Sequence, residues 1–276
     1  MNNLLPVSSR QVRQHFSSHA GEYDCYALVQ KRVVAGLIAR LPDDLSPYHL
    51  ALDIGTGTGD LAHKLQERAP ALPLLVADIA HAMTCTAATR IASVAAFDAD
   101  AEALPLRSAS LGLVLSASMY QWVNDLPRAF AEVQRVLQPG GLFAFALFGA
   151  GTLRELRAAH GEALSEEGRS FASHMQRFPD EKSVAAALEA AGLTGELELQ
   201  DEQEVHPDVP HLLRSLKRIG AQNAASNRPA GLSGRRTTER MMAIYQERFG
   251  SNGSIPATYQ VIYGLAKKLN ITQQKK

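Results

Sequence analysis

The sequence predicts an α/β fold, with a mostly parallel central sheet, helices on both faces, a helical segment ahead of it and a small helical cap inserted between late strands. Three observations predict it. Near-continuous apolar runs alternate with helical stretches between residues 50 and 148, the pattern of strands buried on both faces. A glycine-rich loop (Gly55, Gly57, Gly59) follows the first of these runs directly and precedes a helix. Three acids (Asp53, Asp78, Asp100) stand at or just past the ends of three consecutive strands, where ligands bind in open α/β sheets.

The elements follow in order. Residues 8–40 carry apolar side chains at helical spacing, and Pro42 stops the run. LALDI (50–54) reads as a strand and 60–67 as a helix; LPLLVADI (72–79) is a strand and 81–90 a helix. VAAFDA (94–99) is a short strand, LGLVLSAS (111–118) a longer one, 125–137 a helix and GLFAFALF (141–148) another strand. The intervening QPGG marks a sharp turn. Helices are expected from Thr152 to about Glu166 and from Pro179 onward, and a more polar strand at 195–200. Residues 206–250 read as helical segments broken by NAASNRPAGLSG, and TYQVIYGLAKK (258–268) alternates near the strand period. The organisation expected is therefore a helical lid (1–45), a ligand-binding α/β domain (46–205), a cap over the sheet edge (206–255), a returning strand (256–268) and a loose tail (269–276).

Composition sets outer limits. The 276 residues suffice for one large domain with an insertion, and with 46% hydrophobic and 20% charged residues the chain reads as soluble and globular. A formal net charge of zero gives no global field for nucleic acid. Cys25 and Cys85 lack metal-ligand spacing, which fits a reducing cytoplasm and argues against a disulfide or zinc framework. The N-terminus has no signal-peptide pattern, and no run is long enough to span a membrane. A monomer is compatible with all of this.

The loop is spaced G-x-G-x-G. The dinucleotide fingerprint would place its third glycine on Asp60, and no Gly-Lys-Ser/Thr follows, so a phosphate cradle fails on both counts. With no basic residue in the loop and acids around it, an uncharged or cationic ligand is expected. Asp78, 25 residues after Asp53, can accept hydrogen bonds from ribose hydroxyls. Asp100, or the neighbouring Ala101 amide, can face an adenine edge.

These residues resemble the class I (Rossmann-like) S-adenosylmethionine-dependent methyltransferases. LDIGTGTG, VADI, FDADAEALPL and LQPGG match successive motifs of that family over residues 48–148. The resemblance implies S-adenosylmethionine as cofactor and no metal. It implies that the Gly55–Gly59 loop, with Thr56, lies against the methionine part. Asp53 below the loop, Ile79 beside Asp78, Ser116 at the end of the fourth strand and Trp122 beyond it complete the expected cofactor set.

The flanks resemble one branch, the malonyl-acyl-carrier-protein O-methyltransferases of biotin synthesis. The N-terminal segment carries R-x-x-F-x-x-x-A-x-x-Y as Arg13, Phe16, Ala20 and Tyr23. Gln121–Trp122, GTLREL (151–156), RFPDEKSV (177–184) and LKRIGAQN followed by GLSGR extend the match over nearly the whole chain, while SASMYQW (116–122) departs from it. The resemblance implies methylation of the free carboxylate of a malonyl thioester on acyl carrier protein, or of malonyl-CoA. That carboxylate is ionised at neutral pH and needs alignment and a counter-charge rather than a base. Arg235 and Arg236 are the candidates for the carboxylate clamp, and Tyr23 for closing the site. From Arg214 to Arg248 seven Arg and one Lys face two Glu, a net charge of plus six suited to an acidic carrier. Another small-molecule methyltransferase, acting on a quinone precursor or carboxylic acid, would share every cofactor residue. A non-catalytic S-adenosylmethionine-binding regulator would share the loop. An RNA methyltransferase is disfavoured because LSASMYQW offers no N-P-P-Y-like tetrad.

Overall fold

The computed structural model describes residues 7–168, 178–219 and 234–269. The expected N-terminal helix is three: α1 (Ser9–His19), α2 (Tyr23–Tyr26) and α3 (Leu28–Arg40). Ser8 caps α1 through its hydroxyl, which accepts from the Gln11 amide. The chain then turns at Ala20–Glu22 and again at Ala27, whose non-helical ψ of 46° re-aims the chain.

Five parallel strands follow: β1 (Ala51–Ile54), β2 (Leu74–Asp78), β3 (Ala95–Asp98), β4 (Leu111–Ala117) and β5 (Leu137–Phe148). They are connected by α4 (Asp60–Arg68), α5 (His81–Arg90) and α6 (Leu126–Val136), with a 3₁₀ turn at Tyr120–Trp122. After α7 (Arg154–Glu166) and α8 (Glu181–Ala190) come β6 (Leu193–His206), α9 (Val209–Arg218), α10 (Arg235–Phe249) and β7 (Ile255–Lys268). The seven strands form one sheet in the order β3-β2-β1-β4-β5-β7-β6, with β7 antiparallel to both neighbours. Strand order reverses between β1 and β4, so a crevice opens beyond their carboxyl ends.

Alternation along β5 shows why both faces are covered. Phe143, Phe145 and Leu147 point to one side and join Phe130 and Val133 of α6, Tyr120 and Leu188 of α8. Leu142, Ala144, Ala146 and Phe148 point to the other and join side chains of α3, α4, α7, α9 and α10. Phe143 and Phe145 stack at 4.6 Å between centroids, with Tyr120 and Phe130 edge-on around them.

Three features depart from the expectation. QPGG does not form a separate turn: α6 stops at Val136 and β5 starts at Leu137. Gly140 takes φ +78°, and pairing with β4 jumps from Leu111↔Leu137 to Leu113↔Leu142, absorbing the extra residues as an irregularity. β6 runs for 14 residues rather than six and pairs with β7 throughout, reaching His206; β7 in turn starts at Ile255. Its Glu- and Gln-rich sequence hides it, but Arg32 and Arg40 of α3 neutralise the face they cover, pairing with Glu202 and Glu198. The cap helices lie on a face of the sheet rather than over its edge. Val209, Leu212, Met241, Ile244 and Tyr245 share one apolar cluster with Leu37 of α3 and Tyr259 and Tyr263 of β7. Residues 220–233, Arg177 and the residues from 270 onward fall outside the described residues.

Candidate functional site

The loop after β1 is fixed from below and from the side. Gly55 and Thr56 both donate backbone N–H groups to the Ala77 carbonyl, at 2.8 and 3.0 Å. The Thr56 hydroxyl donates to Asp53 Oδ2 at 2.8 Å, and the Gly57 amide to Asp78 Oδ2 at 3.0 Å. Asp78 Oδ1 accepts from the Ala80 amide at 2.8 Å.

The three glycines share positive φ but differ in reason. A Cβ on Gly55 would stand 2.2 Å from Met119 Cγ, and one on Gly59 3.2 Å from Ala87 of α5, so protein packs there. A Cβ on Gly57 would meet nothing within 4 Å. Of the three, only Gly57 has open space where a Cβ would stand, so the close approach expected of a ligand is best accommodated there.

That space is a cavity of about 1030 Å³, its open mouth included. It spans the carboxyl ends of β1, β2, β3 and β4 and is bordered by α1, α2 and the start of α3. Five acids line it: Asp24, Asp60, Asp78, Asp100 and Glu102. Phe16 stands edge-on to Trp122 (5.5 Å) and to Tyr23 (6.4 Å), so one aromatic from α1 joins the start of α2 to the turn after β4. The N-terminal segment is held further by reciprocal bonds between Val7 and Asn124. α2 is tied to the loop itself: the Thr58 hydroxyl donates to Asp24 Oδ1 at 2.6 Å, and Arg90 of α5 bridges Asp24 and Asp60 at 3.2 and 3.1 Å.

Burial dominates the electrostatics. It pushes the Asp53 carboxyl up to about 7, against the Thr56 hydroxyl bond and with help from nearby Asp78. It pushes Asp78 up to about 6, against the Ala80 and Gly57 amides. The Tyr23 phenol is driven far up by burial and then by Asp78, Asp24 and Asp60, so it stays protonated. An acid-lined cavity attracts a cation, and binding one beside Asp78 would favour the ionised form of its carboxyl.

Of the residues anticipated from sequence, Tyr23, Gly55, Thr56, Gly57, Asp78, Ile79, Asp100, Ala101 and Trp122 line the cavity. Five lie outside that lining. Asp53 is buried beneath the loop and holds Thr56. Gly59 starts α4 against α5. Ser116 is fully buried, its hydroxyl donating to the Ile54 carbonyl at 2.8 Å and so stitching β4 to β1. Arg235 and Arg236 lie exposed at the start of α10 and are not among the described residues lining the cavity, with Arg235 paired to Glu239 four residues on. The basic bias of the cap is also partly spent internally: Arg240 and Arg248 pair with Glu166 and Glu162 of α7. Among the described residues, Arg214, Lys217 and Arg236 carry no ion pair with an acid.

Sequence reasoning missed Asp24, Lys31, Thr58, Ser118 and Met119. Ser118 has φ +57° with its hydroxyl buried and unpartnered, a strained position no sequence signal marks. Asp24 and Lys31 sit on helices whose placement over the loop depends on the turns at Ala20–Glu22 and Ala27.

The donor set fits S-adenosylmethionine. It offers an open backbone at Gly57, a carboxylate at Asp78 for a ribose, an acidic surround for a sulfonium and an ammonium, and, among the described residues, no cluster of cations for phosphates. Among the described residues no group of His, Cys, Asp or Glu is placed to hold a metal, and no helix is long and apolar enough to cross a membrane. A family model described as a methyltransferase domain matches residues 52–145. A malonyl-[acyl-carrier protein] O-methyltransferase of Geobacter sulfurreducens is 46% identical, the match covering 95% of this chain and 100% of that one. One from Methylovorus sp. is 38% identical, over 95% and 90%. Among solved structures, a SAM-dependent methyltransferase of Thermotoga maritima superposes with a TM-score of 0.54 at 16% identity, covering 93% of this chain and 99% of that one, a likeness of fold.

Proposed function

Because the chain belongs to the malonyl-[acyl-carrier protein] O-methyltransferase family, within the class I S-adenosylmethionine-dependent methyltransferases, we propose that it methylates the free carboxylate of a malonyl thioester carried on acyl carrier protein. The methyl ester would then prime chain extension toward a pimeloyl product. The observation that carries the substrate assignment is full-length similarity to the Geobacter relative, which includes the helices outside the cofactor domain.

Bound S-adenosylmethionine supplies a methyl group made electrophilic by its cationic sulfur. Asp78 would hold the ribose, Asp100 and Ala101 the adenine edge, and the loop around Gly57 the amino-acid end. The acceptor carboxylate is ionised at neutral pH, so no side chain need take a proton from it. Phe16, Tyr23 and Trp122 would exclude water, which otherwise solvates and blunts an anionic nucleophile. With its phenol held protonated, Tyr23 is suited to donate a hydrogen bond to the acceptor carboxylate and unsuited to act as a base.

The exposed side chains of Arg214, Lys217 and Arg218 follow one another at helical spacing along α9. The Arg218 guanidinium lies 4.6 Å from the centre of the Tyr26 ring on α2, at the edge of the helices that border the cavity. This α9 face, rather than the start of α10, is the basic surface on which an acidic carrier would dock beside the cavity.

The test is methyl transfer from S-adenosylmethionine to malonyl carrier protein, malonyl-CoA and free malonate, with ester formation read by mass. The carrier-linked thioester should react fastest by kcat/KM, and reversing charge at Arg214 and Lys217 should raise KM for the carrier alone. Equal kcat/KM on free malonate would overturn the assignment.

A further inference from the structure

We propose that Lys31 is the counter-ion for the α-carboxylate of the bound cofactor, and so the group that distinguishes ligands carrying an amino-acid end from bare nucleosides. The inference rests on S-adenosylmethionine being the ligand of this cavity.

S-Adenosylmethionine carries two cations, the sulfonium and the ammonium, and one anion. The cavity offers carboxylates in excess for the cations. For the anion, Lys31 is the sole Lys or Arg among the described residues lining the cavity. Arg90, just behind, is already divided between Asp24 and Asp60.

Lys31 is held ready rather than consumed. Its Nζ donates to the Asp24 backbone carbonyl at 2.7 Å, and it forms no ion pair among the described residues. An ammonium has three donors, so this bond to a neutral oxygen fixes its position and leaves two donors and the full charge for a ligand.

Its place along the cavity selects which part of the ligand it meets. Asp24, to which Lys31 is bonded, is also bonded through its carboxylate to Thr58 in the glycine loop. Lys31 therefore belongs to the loop end, opposite the Asp100 and Ala101 end assigned to the base. An ammonium beside a carboxylate in a partly enclosed cavity gains a charge-assisted bond, stronger than a neutral one.

The experiment is calorimetry with S-adenosylhomocysteine, which has the amino-acid end, and 5′-methylthioadenosine, which lacks it. Wild type, Lys31→Met and Lys31→Arg are compared, with thermal unfolding to establish that each is folded. Lys31→Met should weaken S-adenosylhomocysteine about ten- to a hundredfold, leave 5′-methylthioadenosine within about twofold, and be largely rescued by Lys31→Arg. Unchanged affinity for S-adenosylhomocysteine, or an equal loss for both ligands, would overturn the proposal while leaving the cofactor assignment intact. If wild type bound neither compound, the cofactor assignment would fall and this proposal with it.

Discussion

Replacing Asp53 by Asn isolates the energetic consequence of placing a carboxyl under the glycine loop. Asp53 is 1% exposed, and its Oδ2 accepts a hydroxyl bond from Thr56. Burial raises its pKa from 3.8 to about 7. A carboxyl with a raised folded-state pKa stabilises the fold most below its unfolded pKa, and that contribution is lost as pH rises through the folded pKa. The ligand-free wild-type protein should therefore lose stability relative to Asp53→Asn between about pH 4 and pH 7. A shift of roughly three units bounds the difference at about 4 kcal/mol, at 1.36 kcal/mol per unit. Asn keeps the shape and can still accept from Thr56, so the variant should match wild type near pH 4 and exceed it at pH 8. Urea unfolding of ligand-free protein across that range, followed by circular dichroism, reads the difference directly. A gap independent of pH, or a variant less stable at pH 8, would refute the reasoning. Asp78, raised to about 6, titrates in the same window, so affinity for the cationic cofactor should climb from pH 5 to pH 8 as the carboxyls ionise, and calorimetry should register proton release on binding.

Other perturbations separate neighbouring roles. Gly57→Ala should cost about 1–2 kcal/mol of stability, from left-handed strain alone, but should weaken S-adenosylhomocysteine at least tenfold, because its Cβ would point into the cavity. Gly55→Ala should destabilise more, by collision with Met119, and Met119→Ala should recover part of the loss in thermal unfolding. Arg90→Met leaves Asp24 and Asp60 uncompensated and should speed S-adenosylhomocysteine dissociation in stopped-flow measurements; an unchanged rate would show that the Asp24–Arg90–Asp60 bridge does not hold α2 against the loop. Arg235→Ala and Arg236→Ala should leave ester formation within about twofold of wild type; a large fall in kcat would support their assignment as the carboxylate clamp.

Much of the parallel half of the sheet was legible because its strands are buried on both faces, and burial writes a continuous apolar run that no loop imitates. LALDI, LVADI and LGLVLSA needed only the turn residues between them to be placed. β6 was legible only in part. Its exposed positions include Glu196, Glu198, Asp201 and Gln203, poor strand formers in isolation, and what makes the strand is fourteen residues of pairing to β7 and the arginines of α3 across it. The site divides in the same way. Asp78, Asp100 and the loop glycines are adjacent to strand ends, so their convergence follows from the sheet. Asp24 and Lys31 reach the cavity only because α2 and α3 fold back over the loop, a tertiary fact set by Phe16 against Trp122 and by Thr58 against Asp24.

Arg235 and Arg236, expected as the carboxylate clamp, lie outside the described cavity lining, which bears on catalysis. A run of arginines near a helix start suggests an anion site, yet such side chains are long enough to pair locally, and α10 lies along the acidic face of α7. On the proposed reading, the acceptor carboxylate would meet no arginine among the described residues lining the cavity. Its approach would be favoured by the cation it attacks, and by removal of water where Phe16, Tyr23 and Trp122 border both reactants. A site built this way gains little from strong binding of the acceptor anion, which would stabilise the ground state as much as the transition state, where the anion's charge is being neutralised. On the same reading, a carrier docked at α9 would supply binding energy remote from the reacting carboxylate. Free malonate, lacking that handle, should then lose kcat as well as affinity, and single-turnover rates at saturating cofactor would distinguish this from a loss confined to KM.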